Sequence, residues 1–235
     1  MTNETTEAVS AESMDAGATT DDQHHEETAA STPLLVDVRV GGHRTFDRVV
    51  FEFTGPRPGY RVRYVPQVFE DGSGNPVHLE GRAFVEAVMH PAAAHDDHGN
   101  PTFPGPLPQI ADTAALRDIA DAGDFEGQIT WGIGVAARTP VQVRRLDHPA
   151  RIAIDVAHTP PGTGNQLLRR NDTGAAVATW QWRLRLALER DVAVDESFGP
   201  VTETATRDFQ REHHLTADGI VGPLTRAAME AALGI

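Results

Sequence analysis

The chain contains no cysteine and, among its 20 basic residues, no lysine. Without cysteine there are no disulfides, thiolate metal sites or thiol nucleophiles, which excludes acyl transfer of the cysteine type. Arginine is the only permanently cationic side chain, so any fixed positive charge is a planar guanidinium. Aromatic residues amount to 6%. No stretch approaches the roughly 20 apolar residues of a membrane helix, and residues 1 to 30 have neither the basic start nor the apolar core of a signal peptide. A basic stripe is also missing. The formal charge of −14 divides into −8 over residues 1–33, −4 over 34–165 and −2 over 166–235. Nucleic acid is therefore excluded as a partner, because nothing concentrates cations to displace counterions.

What is present begins with an acidic leader. Residues 1–33 hold eight acids and no base, lack aromatics and show no periodicity, which predicts a disordered tail. From Leu34 the pattern becomes period two. Val36, Val38 and Val40 alternate with Asp37 and Arg39, and Val49, Phe51 and Phe53 alternate with Val50 and Glu52. Tyr60, Val62 and Tyr64 alternate with Arg61 and Arg63. Further strands are predicted at Val77–Leu79, Ala83–Met89, Leu116–Ala122, Gln128–Val135, Val141–Leu146 and Arg151–Val156, about nine in all, with one helical turn as the alternative at Leu116–Ile119. Short strands at this spacing predict a β-sandwich or barrel.

Residues 159–166 are a linker by composition. Beyond them Val177, Trp180, Gln181, Leu184 and Leu188 fall at helical spacing. Then one phrase occurs twice: Asp195-Glu196-Ser197-Phe198-Gly199-Pro200-Val201-Thr202 and Asp218-Gly219-Ile220-Val221-Gly222-Pro223-Leu224-Thr225. Each copy reads as an aspartate-led turn entering a helix. Gly199 and Gly222 permit backbone angles closed to side chains, the following prolines suit the first helical position, and Thr202 and Thr225 are placed to hydrogen-bond free amides of the first turn.

Two resemblances follow. Phe46-Asp47-Arg48-Val49-Val50-Phe51-Glu52-Phe53, Pro58 to Tyr64, Ala94-His95-Asp96, Gly123 to Gly127 and Trp131-Gly132-Ile133-Gly134 resemble the AMIN-like domain of actinobacterial cell-envelope proteins, over about residues 34–158. That resemblance implies a β-sandwich that binds the envelope without cutting it. Gly174, Val177, Trp180-Gln181, Leu184, Phe209-Gln210, Leu215 and both phrases resemble the three-helix peptidoglycan-binding domain found beside bacterial wall hydrolases, over residues 167–235. One departure stands out: Glu196 follows Asp195 where that family usually has glycine.

The resemblances imply a two-domain, non-catalytic, cofactor-free protein of the cell wall, with peptidoglycan as partner. The tail then reads as the tether of an exported protein or lipoprotein whose signal is absent from this chain. The polymer-contact candidates are Asp195, Phe198, Thr202, Arg207, Gln210, Arg211, Asp218 and Thr225. Asp195, Thr202, Asp218 and Thr225 sit around the helix starts, where free amides attract carboxylates and acetamido oxygens, and Arg207 and Arg211 suit stem-peptide carboxylates. Phe198 and Val221 also read as core plugs, and Gln181 and Gln210 as partners of buried turn amides. Arg61, Arg63 and Tyr64 form a basic-aromatic candidate edge on the β-domain. Trp180 belongs to the helical core, whereas Trp182 and Leu186 make a second stripe that predicts docking, on the β-domain ahead of a ligand.

Chemistry beyond binding has thin support. His90 and His95-Asp96-Asp97-His98 lie in a loop flanked by Gly99-Asn100-Pro101 and supply ligand types for zinc without convergence from separate elements. A hidden hydrolase centred on that region is the enzyme alternative, and a protein-interaction module is the other. Ser73 lacks the strand-turn-helix setting of a nucleophile elbow, and adjacent Asp96 and Asp97 do not oppose each other as glycosidase carboxylates must.

Overall fold

The computed structural model describes Met14, residues 17–103, 105–110 and 112–235. Nine strands and three helices follow in chain order: β1 Gln23–His25, β2 Leu34–Gly42, β3 Phe46–Thr54, β4 Gly59–Val65, β5 Ala83–His90, β6 Leu116–Phe125, β7 Gln128–Val135, β8 Val141–Leu146, β9 Ala150–Ala157, α1 Ala175–Leu188, α2 Pro200–Glu212 and α3 Pro223–Leu233.

The strands form two antiparallel sheets, ordered β1-β4-β5-β7-β6 and β2-β3-β9-β8. Each contributes its alternate apolar residues to one shared core, so Val49, Phe51, Ile152 and Ile154 from one sheet meet Val85, Met89, Trp131 and Ile133 from the other. The Phe51 and Trp131 rings lie 5.3 Å apart between the layers. This is the expected β-sandwich, and it follows from period-two burial on the inner face of each sheet. Two buried acids are fully compensated. The Asp155 carboxylate accepts from Arg48 (2.5 and 2.8 Å) and Arg144 (2.9 Å). Asp47 accepts from the amides of Ala115 and Leu116 and pairs with His158 at 2.9 Å.

Three local expectations differ from the structure. Val77 and Leu79 are not a strand. They cap the outer face of the five-stranded sheet with Val68 and Ala122, so their burial without period-two pairing mimicked a strand. Leu116–Ile119 is strand, not a helical turn. Residues 17–33 are also not free of structure. Thr19 bridges Val141 in both directions, and Gln23–His25 adds a strand to the edge of β4, where Arg61 holds Asp22 at 2.6 Å. Composition predicted disorder because this segment has no core of its own. Backbone pairing to an exposed edge needs none. The part of the expected tail before residue 17, Met14 apart, lies outside the described residues.

The three helices enclose a second core of Val177, Trp180, Leu184, Phe198, Phe209, Val221 and Met229. Trp180 donates its indole N–H to Thr206 at 2.9 Å and meets the Phe209 ring edge-on. Both α2 and α3 begin with proline after an extended glycine. Residues of the expected linker are tied down, since Arg226 on α3 donates to the carbonyls of Gln166 and Gly164.

Candidate functional site

The repeated phrase folds into two equivalent turns, each organised by one buried glutamine. Gln181 on α1 donates from Nε2 to Asp195 Oδ1 (2.7 Å), the Ser197 carbonyl (2.9 Å) and Thr202 Oγ1 (3.0 Å). Its Oε1 accepts the amides of Asp195 and Glu196, both at 3.1 Å. Gln210 on α2 repeats this with Asp218 Oδ1 (2.8 Å), the Ile220 carbonyl (2.9 Å) and Thr225 Oγ1 (3.2 Å), and accepts the Gly219 amide at 2.8 Å. Both glutamines are about 1% exposed, so every one of these groups would cost free energy if left unpaired. The reading of Gln181 and Gln210 as partners of buried turn amides matches this geometry.

Two details of the phrase differ from the sequence expectation. Gly199 and Gly222 have φ of −82° and −100°, extended values open to any residue. The left-handed position is the one after the aspartate, with φ of 61° at Glu196 and 76° at Gly219. Likewise Thr202 and Thr225 do not cap helix amides. Their hydroxyls serve the glutamines, as one of three oxygens within reach of each buried Nε2, whose two N–H groups are shared among them.

Of the proposed contacts, Phe198, Thr202, Gln210 and Thr225 are buried and shape the turns from within. Asp195, Arg211 and Asp218 are exposed. Arg211 pairs with Asp208 at 2.6 Å across one helical turn. Arg207 is half-buried and structural, donating to the Ala217 carbonyl (2.7 Å) and Glu203 (2.9 Å). Arg207, then Arg170, holds the Glu203 carboxyl below its ordinary range. Exposed Val201 and Leu224 occupy the same position of each copy, just inside a helix start.

The first turn also meets the β-sandwich. The Glu196 carboxylate accepts from Arg117 (2.6 and 2.9 Å) and Arg82 (3.1 Å). Trp182 donates its indole N–H to the His43 carbonyl at 2.7 Å and lies against Gly42, where an added Cβ would stand 2.6 Å from the ring. Arg44 donates to the Leu233 carbonyl at 2.7 Å, and Arg185 pairs with Asp112 at 2.9 Å. A cleft of about 420 Å³ opens along this seam between Arg82, Arg117, Asp195 and Glu196. Docking of Trp182 on the β-domain is thus observed, whereas Leu186 packs into the helical core. Sequence reasoning missed Arg44, Arg82 and Arg117, which carry no motif.

On the β-domain the expected basic-aromatic edge is internally paired. Arg61 holds Asp22, Arg63 holds Glu86 at 2.7 Å, and the Tyr64 hydroxyl donates to the Thr139 carbonyl at 2.7 Å. His95 Nδ1 lies 2.5 Å from Asp124, whose hydrogen bond and charge raise the imidazole above its ordinary value. Asp96 closes its own loop by accepting from the amides of His98 and Asn100. Among the described residues, no group of three or more His, Asp or Glu side chains is placed to hold a metal ion. Nor is any helix among them long and apolar enough to cross a membrane.

Comparison with known proteins agrees with this architecture. A family model described as "AMIN-like domain" matches residues 33–158, and one described as "Putative peptidoglycan binding domain" matches residues 173–229. The zinc D-Ala-D-Ala carboxypeptidase of Streptomyces albus G is 31% identical over 115 residues, which cover 49% of this chain and 33% of that protein. An uncharacterised protein of the bpoA1 3′ region of Kitasatospora aureofaciens is 41% identical over 69 residues, 29% of this chain and 58% of that protein. The chain thus spans less than two thirds of each of these curated relatives. Among solved structures, the SleB N-terminal domain aligns over 31% of this chain and 99% of its own, at 32% identity and a TM-score of 0.29. A peptidoglycan-binding protein from Clostridioides difficile, in complex with glutamine hydroxamate, aligns over 46% and 63% at 23% identity and a TM-score of 0.27.

Proposed function

Because the chain belongs to the AMIN-like domain family and carries a peptidoglycan-binding domain behind that β-sandwich, we propose that it is a non-catalytic, extracytoplasmic cell-wall protein. In this reading the helical domain holds peptidoglycan and the β-domain assists its targeting to the envelope. The observation that carries it is the pair of glutamine-centred turns. They fix two helix starts in one rigid geometry and present Asp195, Asp218, Val201 and Leu224 to solvent. Free amides at those starts favour acetamido oxygens and carboxylates, and the exposed apolar residues favour the hydrocarbon faces of the same polymer. Arg211, exposed in the last turn of α2, offers a guanidinium to a stem-peptide carboxylate in place of its partner Asp208. The buried candidates act by holding this surface in shape.

The non-catalytic reading is supported by how the His95 loop is built. Its His95 imidazole is engaged by Asp124, and the neighbouring Asp96 is taken up in closing its own turn. The test is sedimentation with purified sacculi. The full chain and residues 167–235 should both pellet with sacculi, and neither should release soluble muropeptides. A helical domain that stays in the supernatant would sink the proposal, and muropeptide release lost on His95→Ala would replace it with the hydrolase reading.

A further inference from the structure

The leader is fastened across the β-domain without entering its core. No side chain of residues 17–32 is buried, and the first buried position of the segment is Pro33. On the five-stranded sheet Gln23–His25 pairs with β4, in the register Gln23↔Val62, His24↔Arg61 and His25↔Tyr60. On the other sheet Thr19 exchanges backbone hydrogen bonds of 2.9 and 2.8 Å with Val141 of β8, which is an edge strand. Gln23 joins the two edges. Its backbone lies beside Val62, while its side chain donates to the Val141 carbonyl at 2.9 Å and accepts the Val143 amide at 3.3 Å. One short segment thus closes a flank of both sheets, and without it β4 and β8 would present unpaired backbone groups.

What holds the leader there is polar and superficial. Arg61, 52% exposed, holds Asp22 at 2.6 Å, Arg138 donates to the Thr20 carbonyl at 3.1 Å, and Arg145 pairs with Glu27. Exposed ion pairs contribute at most about 1 kcal/mol each, and no apolar burial reinforces them. A segment held in this way opens locally at a free energy well below that of the core. The chain that follows allows such opening. Residues 28–32 have no buried member, and anchoring resumes at Pro33, whose carbonyl accepts the Ala93 amide at 3.0 Å. Extended, residues 28–32 reach about 17 Å.

The vacated flank defines its occupant. It asks for an extended backbone along β4, an amide side chain reaching β8, and carboxylates spaced for Arg61 and Arg145. The leader of a second copy supplies all three by identity. Exchange keeps every contact of the closed form, so only the path of residues 28–32 and the association itself differ. We propose that the β4–β8 flank is a strand-acceptor slot through which two copies exchange leaders, each closing the β-domain of the other. The tethered leader competes at an effective concentration of about one millimolar, so exchange takes over where copies are crowded to that density. This surface is independent of what the helical domain binds.

The test uses the full chain, whose lack of cysteine makes any introduced thiol unique. Opposed residues of an antiparallel pair lie within disulfide reach, and His24 and Arg61 are such a pair on an exposed edge. Chains carrying His24→Cys alone are mixed with chains carrying Arg61→Cys alone, and oxidised glutathione serves as oxidant. A covalent heterodimer then forms where the leader of one copy reaches β4 of another. His24→Cys mixed with Glu230→Cys, an exposed position on α3, measures random collision. At about 1 mM the His24–Arg61 mixture should yield about tenfold more heterodimer than this control, and at about 10 μM the two should be equal. The double variant His24→Cys/Arg61→Cys should close within one chain at the lower concentration. Neither position reaches the core, so closure of the double variant also reports that the β-domain has folded. A yield equal to the control at 1 mM overturns the proposal. So does a yield that survives dilution, which marks a permanent dimer, and so does a double variant that fails to close, since the leader would then not lie on β4.

Discussion

Replacing Glu196 separates two opposing effects at one residue. Its side chain is 22% exposed and joins Arg117, 19% exposed, and Arg82, 62% exposed. The Arg82 contact is close to the surface and contributes little. The Arg117 contact is different, because removing the carboxylate leaves Nε without an acceptor and Nη2 with the Ala114 carbonyl alone at 3.3 Å, at a cost of about 1–3 kcal/mol. Against this, Glu196 holds φ of 61°, a left-handed conformation costing a non-glycine residue about 1 kcal/mol. Glu196→Ala loses the ion pair and keeps the strain, so it should lower stability by about 1–3 kcal/mol. Glu196→Gly loses the same pair but relieves the strain, so it should lie about 1 kcal/mol above Ala. At about 2–4 °C per kcal/mol for a chain of this size, the expected order of melting temperatures is Glu, then Gly, then Ala, with steps of a few degrees. Differential scanning calorimetry reads the order, and limited proteolysis at residues 159–166 reads whether the seam has opened. Equal melting of Ala and wild type would show that Glu196 does not hold the domains together. Equal melting of Ala and Gly would refute the account of the backbone.

Gln210→Ala should destabilise the helical domain by about 2–4 kcal/mol, because the Gly219 amide and three acceptors lose their partner together; circular dichroism of residues 167–235 under urea measures it, and loss of sacculus binding should track unfolding. Gly42→Ala should push Trp182 off the β-domain, since the added methyl would lie 2.6 Å from the ring, and a red-shifted, more quenchable tryptophan emission would report it; unchanged emission would deny the docking. The His95 imidazole should titrate above its ordinary value because of the Asp124 hydrogen bond, and Asp124→Asn should bring it down in an NMR titration. With the folded value above the unfolded one, that contact stabilises fully below the unfolded pKa and fades as pH rises through the folded pKa. A β-domain whose stability gains from this pair on alkalinisation would contradict the assignment.

The repeated phrase shows how far sequence could go. Its register, its prolines and its aspartates foretold two turns running into helices, and the spacing of Trp180-Gln181 and Phe209-Gln210 foretold glutamines serving buried amides. Which glycine carried the unusual backbone angle was not legible, because the doublet Gly-Pro draws attention to the helix start while the strain falls three residues earlier. Glu196 was legible only as a departure. The partner that makes an acidic residue useful there lies 79 residues away at Arg117.

Alternation of apolar residues determined the two-layer β-domain, and helical spacing with the repeat determined the three-helix domain, because both signals are local and set by the geometry of the backbone. Composition alone placed the leader outside the fold, since it reads the capacity to bury surface and is blind to an edge strand that offers hydrogen bonds. Tertiary structure decided everything that joins distant segments: the leader along β4, Trp182 on Gly42, and two arginines on Glu196. None of these contacts follows from residue type, because each depends on where the chain returns.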